Sequence, residues 1–185
     1  MKRTLYLSMV CLLSAFSAVG QIGLRGLNPI EKQKLQLPEL PASQSRVTLL
    51  RSSENVDYTQ GVFILNEDWF GHNNSTINFM TSSGDFAYRI FQTANPGKEL
   101  GCTSQFGTIF GDNMFITSKQ PKDGGASIEG GRLNVVDAKT MKVKAQFTDI
   151  GGGDGRAFLG VNDSVGYIGA SNGIFLFDIK NLTVG

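Results

Sequence analysis

Val135-Val136-Asp137 recurs as Leu176-Phe177-Asp178, residue 135 against residue 176, and the likeness runs outward from both. "GGRLNVVDAKTMKV" lies over "SNGIFLFDIKNLTV", and upstream "DNMFITS" lies over "DSVGYIGAS". A weaker first copy runs from "GVFILNE" through "STINFMTSSGDF", with the same order of strand, loop, strand and turn. A period near 40 residues made of short strands restricts the fold severely. One small sheet cannot bury both of its faces, so it must stack on its neighbours. A four-strand unit of ~40–45 residues is the size of a β-propeller blade.

The expected fold class is therefore all-β: a β-propeller of four-stranded antiparallel blades, incomplete, with only about two and a half to three blades present. The blades fall at about 61–95, 100–150 and 155–185. From the inner strand outward, the second reads "SQFGTIF", "NMFITSK", "RLNVVDA" and "KVKAQFTD". The third reads "RAFLGV", "VGYIGA" and "IFLFDIK", and reaches Gly185 where its outer strand should begin. The first has no inner strand and ends with "FAYRIF" as its outer one. This pattern leads us to expect the N-terminal part of a longer protein, or a truncated reading frame.

Ahead of the repeats the texture differs. Lys2 and Arg3 precede the apolar run Leu5 to Val19, and Ala18-Val19-Gly20 offers small residues for cleavage, so 1–20 read as a signal peptide. The run is shorter than the ~20 apolar residues of a spanning helix, and no later stretch comes close, so no transmembrane segment is expected in the mature chain. Export to the periplasm, the outer-membrane surface or the medium follows. Cys11 leaves with the leader and Cys102 remains, which excludes an intrachain disulfide. Leu7-Ser8-Met9-Val10 is a poor lipoprotein signal, since no small residue precedes Cys11. Residues 21–59 hold three of the five prolines and many Gln and Ser, and read as a largely irregular leader or linker.

A net charge of +1, with both signs scattered, gives no electrostatic case for nucleic acid. "GGGDGR", Gly151 to Arg156, has the glycines of a phosphate loop. It lacks the following Lys-Ser/Thr and leads into the strand-like "AFLGV" rather than a helix, so it reads as a step between blades. With one histidine, His72, and one mature cysteine, neither a Ser-His-Asp constellation nor a metal cluster is expected, and no cofactor. Cys102 has no basic neighbour and reads as buried and inert. Loops at one mouth of the channel are where a ligand would bind, and Trp69, Arg132 and Arg156 are the candidate ligand-binding residues there. Sequons at Asn73, Asn74, Asn162 and Asn181 matter only in a host that glycosylates them.

"GVFILNEDWFGHNNSTINF", "NPGKELGCTSQFGTIFGDNMFI", "GGRLNVVDAKTMK" and "DGRAFLGVNDSVGYIGASNGIFLFDI" together resemble a secreted propeller family of Bacteroidetes-type bacteria. That family is a domain of unknown function related to YncE-like, YVTN-repeat propellers, and the resemblance covers residues 61–185. It implies seven blades in complete members and, in one branch, capture of cobalamin at the outer-membrane surface for a TonB-dependent transporter. It also implies that Asp163-Ser164-Val165 matches an O-glycosylation triplet used in such hosts.

Taken together, these features predict an exported, non-catalytic binding propeller that captures a small molecule, with a corrinoid as the most specific version, a glycan or a partner protein. An outer-membrane transporter is the candidate partner. The alternatives are a lactonase-, lyase- or quinoprotein-like enzyme whose catalytic residues lie in other blades, and a structural envelope or adhesion scaffold.

Overall fold

The structure, a computed structural model, describes residues 56–68 and 72–185. The signal peptide, the linker up to residue 55 and Trp69 lie outside the described residues. The described chain is all-β, arranged as three antiparallel sheets in sequence order.

Sheet I contains β1 (Gly61–Asn66), β2 (Thr76–Thr81) and β3 (Phe86–Ala87), and a one-turn helix α1 (Ile90–Ala94) follows it. Sheet II contains β4 (Cys102–Phe110), β5 (Asn113–Gln120), β6 (Leu133–Asp137) and β7 (Val143–Phe147). Sheet III contains β8 (Gly155–Asn162), β9 (Val165–Ala170), β10 (Gly173–Asp178) and β11 (Thr183–Val184). Within each sheet every strand pairs with the next in sequence, as a meander requires.

Two elements differ from the sequence expectation. "FAYRIF" is strand only at Phe86–Ala87, after which Arg89 turns to φ 50° and its amide donates to Asn78 Oδ1 at 2.9 Å. Ile90, Phe91 and Ala94 then share one face of α1 and are all buried. A helical turn puts these three positions on one side, where a strand would point alternate residues outward. The outer strand of sheet III, expected to be missing, has begun: Thr183 and Val184 pair with Asp178 and Phe177.

Alternation along the strands sends one set of side chains into each gap between sheets. Phe63, Leu65, Ile77 and Phe79 from sheet I meet Met114, Ile116 and Val136 from sheet II. The opposite face of sheet II sends Phe115, Leu133 and Val135 against Phe158, Ile168 and Phe177 of sheet III. Phe115 stacks on Phe158 with centroids 3.7 Å apart and planes 5° apart, and Phe177 meets both edge-on.

A candidate ligand-binding end

Because the strands run as a meander, the connections alternate between two ends. At one end they are tight: Gly111-Asp112 joins β4 to β5 and Asp163-Ser164 joins β8 to β9. At the other end three are long, 67–75, 121–132 and 148–154, and the short turn Ser171-Asn172 between β9 and β10 lies beside the last of them. The long connections hold Asn73-Asn74, Gly124-Gly125, Gly130-Gly131 and Gly151-Gly152-Gly153.

The long connections are tied to one another. Asn74, only 4% exposed, donates from Nδ2 to Ile128 O at 2.8 Å and accepts the Asp123 amide on Oδ1 at 2.8 Å. The Ser75 amide donates to Gly101 O, and Ser75 Oγ accepts the Ser104 amide. Asp123 caps its own loop through the Gly125 amide, and its Oδ2 accepts from Cys102 Sγ at 3.3 Å. Burial pushes the Cys102 thiol above its ordinary pKa, and the Asp123 carboxylate adds to that, so the thiolate is disfavoured.

On this frame sits a polar pocket of about 140 Å³ lined by Asn73, Asn74, Arg89, Glu99 and the backbone-rich segment 125–128. The left-handed turn at Arg89 and the entry to β4 bring the two charges together. Arg89 Nη2 lies 3.3 Å from Glu99 Oε1, and Gln92 Nε2 donates to Glu99 Oε2 at 2.7 Å. The pocket thus shows guanidinium and amide donors beside a carboxylate acceptor.

The sequence candidates stand nearby but not in it. Arg132 donates from Nη1 to Gly153 O at 3.0 Å and lies 3.5 Å from Asp149, while its Nε is buried without a hydrogen-bond partner among the described residues. Arg156, at the start of β8 and half-exposed, pairs with Asp154 at 3.2 Å. Both arginines are therefore held by the connection 148–154, and neither lines the Arg89–Glu99 pocket. Trp69 falls outside the described residues. Sequence reading missed Arg89 because "FAYRIF" reads as one strand, and missed Glu99 because an isolated acid before a strand carries no motif. Asn73 and Asn74 were noticed only as sequons. Asn74 is held on both amide atoms inside the fold.

A second pocket of about 290 Å³ lies at the tight-turn end, between Tyr58, Phe63, Ile109, Asp112 and Lys139. Among the described residues no group of three or more His, Cys, Asp or Glu could hold a metal ion. Nor is any described helix long and apolar enough to cross a membrane. A family model described as "Domain of unknown function (DUF5074)" matches residues 60–185. No curated protein matches the chain.

Proposed function

We propose that this chain, which belongs to the DUF5074 family, is an exported, non-catalytic binding module of propeller type that captures a small polar ligand at its long-connection end. The observation that carries this reading is the Arg89–Glu99 pocket, built where the long connections 67–75 and 121–132 are hydrogen-bonded together. Three consecutive meander sheets packed face to face support the propeller architecture, with sheets I to III as successive blades.

The pocket chemistry favours a neutral polyol or sugar. A hydroxyl both donates and accepts, so adjacent hydroxyls can span the Glu99 carboxylate and the Arg89 guanidinium, each bond to a charged group contributing about 1.5–3 kcal/mol. A net-charged ligand would leave one member of the ion pair facing its own sign. A corrin ring exceeds 140 Å³ and would have to extend across the rim, toward Arg132 and Arg156 beside the connection 148–154. Release to an envelope partner such as an outer-membrane transporter would follow from the expected leader at 1–20.

Isothermal titration with methyl α-glucoside, N-acetylglucosamine and cyanocobalamin tests the reading. Saturable heat with a sugar, weakened roughly tenfold or more in Arg89→Ala, is expected from the loss of about 1.5–3 kcal/mol. Binding of cyanocobalamin that depends on Arg156 but not Arg89 would move the site to the rim.

A further inference from the structure

Ile128 is an apolar side chain in a polar place. Among the described residues of the three long connections it is the one large hydrophobic side chain left exposed, at 38%. It lines the Arg89–Glu99 pocket, as does Ala126. Asn74 Nδ2 holds the Ile128 carbonyl, and Asp123 accepts the Gly125 amide on its carboxylate at 2.8 Å and the Ala126 amide on its carbonyl at 3.1 Å. The segment is thus fixed with its isoleucine side chain in solvent, where folding draws little benefit from it.

Asn73 lines the same pocket and is exposed. Among the described residues no hydrogen bond engages its side-chain amide, whereas its neighbour Asn74 is held on both amide atoms. A carboxamide offers an N–H donor and a C=O acceptor side by side. An acetamido group offers the same pair, so the two can satisfy each other, and its methyl is the apolar part that an exposed isoleucine can cover. A plain hydroxyl at that position gives Ile128 nothing to bury.

We propose that this pocket selects N-acetylated amino sugars over plain hexoses: Arg89 and Glu99 take ring hydroxyls, Asn73 pairs with the acetamido group, and Ile128 covers its methyl. The inference rests on the sugar-binding reading of the pocket given above. Both selecting residues depend on one buried side chain, since Asn74 follows Asn73 in the chain and holds Ile128 by its carbonyl. Walls fixed in this way leave little to be ordered on binding. Burying one methyl and making one more hydrogen bond should favour the acetamido sugar by roughly tenfold.

Calorimetric titration of the full chain with methyl N-acetyl-β-glucosaminide and with methyl β-glucoside, which differ at a single ring position, tests it. The acetamido sugar should bind roughly tenfold more tightly, and Ile128→Ser or Asn73→Ala should each bring the two affinities within about threefold of one another. Both substitutions fall at exposed positions, so the circular dichroism spectrum should not change. In saturation-transfer NMR the acetyl methyl should receive the strongest signal from the protein and lose it in Ile128→Ser. Equal affinities in the parent chain, or a preference that survives both substitutions, would overturn the inference. If both glycosides then still required Arg89, the sugar reading of the pocket would stand without it; a parent chain that binds neither glycoside would remove both.

Discussion

Asp137 and Asp178 show the repeat at the level of single atoms. Asp137 Oδ1 accepts from the amides of Lys139 and Thr140, and Asp178 Oδ1 accepts from those of Lys180 and Asn181. Each loop then passes through a left-handed residue, Met141 at φ 58° and Leu182 at φ 52°. The sequence match between these segments was visible. Its cause, an Asp side chain that closes the turn, is turn chemistry any Asp can supply. For Asp137, burial works against ionisation, but hydrogen bonds from Thr140, Lys144 and the backbone outweigh it and hold the carboxyl below its ordinary range. A depressed folded-state pKa gives stability that is present above the unfolded value of about 3.9 and is lost as pH falls through the lower folded value. Asp137→Asn keeps an acceptor for the turn but loses the Lys144 pair, 3.3 Å away. We therefore predict that its stability deficit in urea melts shrinks as the pH is lowered below about 4; a deficit unchanged down to the most acid folded conditions would contradict this. Arg89 was hidden for the opposite reason. Its place depends on a left-handed turn fixed by Asn78, a contact eleven residues away that no local pattern announces.

At the scale of elements, "GGGDGRAFLGV", which its sequence marks as a step between blades rather than a phosphate loop, leads from sheet II into sheet III. Gly151 sits at φ 82°, where a Cβ would also strike the Phe175 ring. Gly155 opens β8 against sheet II, where a Cβ would lie 2.6 Å from Ser118 O and 2.8 Å from Arg132 O. Both atoms are backbone, so neither can move aside without breaking strand pairing. Gly155→Val should therefore cost about 1–3 kcal/mol in chemical denaturation, as overpacking does; a loss under ~0.5 kcal/mol would show that the sheets separate freely there. The strands of sheets II and III were legible because alternation and a repeated turn coincide in them. The end of sheet I was not, because "FAYRIF" satisfies alternation while Ile90, Phe91 and Ala94 are recruited by burial under a helical turn.

For the whole described molecule, stability resides in the gaps between sheets. Phe158 is 3% exposed and lies on Phe115 with Phe177 at its edge, so Phe158→Ala removes contacts to two sheets at once. A loss of about 3–5 kcal/mol is expected, with circular dichroism and amide exchange reporting one shared transition. Sheet III melting alone, with sheets I and II unaffected, would deny the stacking its role. The sequence contained the stacking rule through its repeat period, but not which connections knit one end together, because those bonds join residues about fifty positions apart, such as Asn74 to Ile128 and to Asp123. The binding reading rests on that end. Its most direct test is an amide chemical-shift map of the protein titrated with N-acetylglucosamine. The account predicts saturable shifts at Asn73, Asn74, Arg89, Glu99 and residues 125–128, with the tight-turn residues Gly111, Asp112 and Lys139 unmoved. Shifts concentrated at those turn residues, or none at either end, would contradict it.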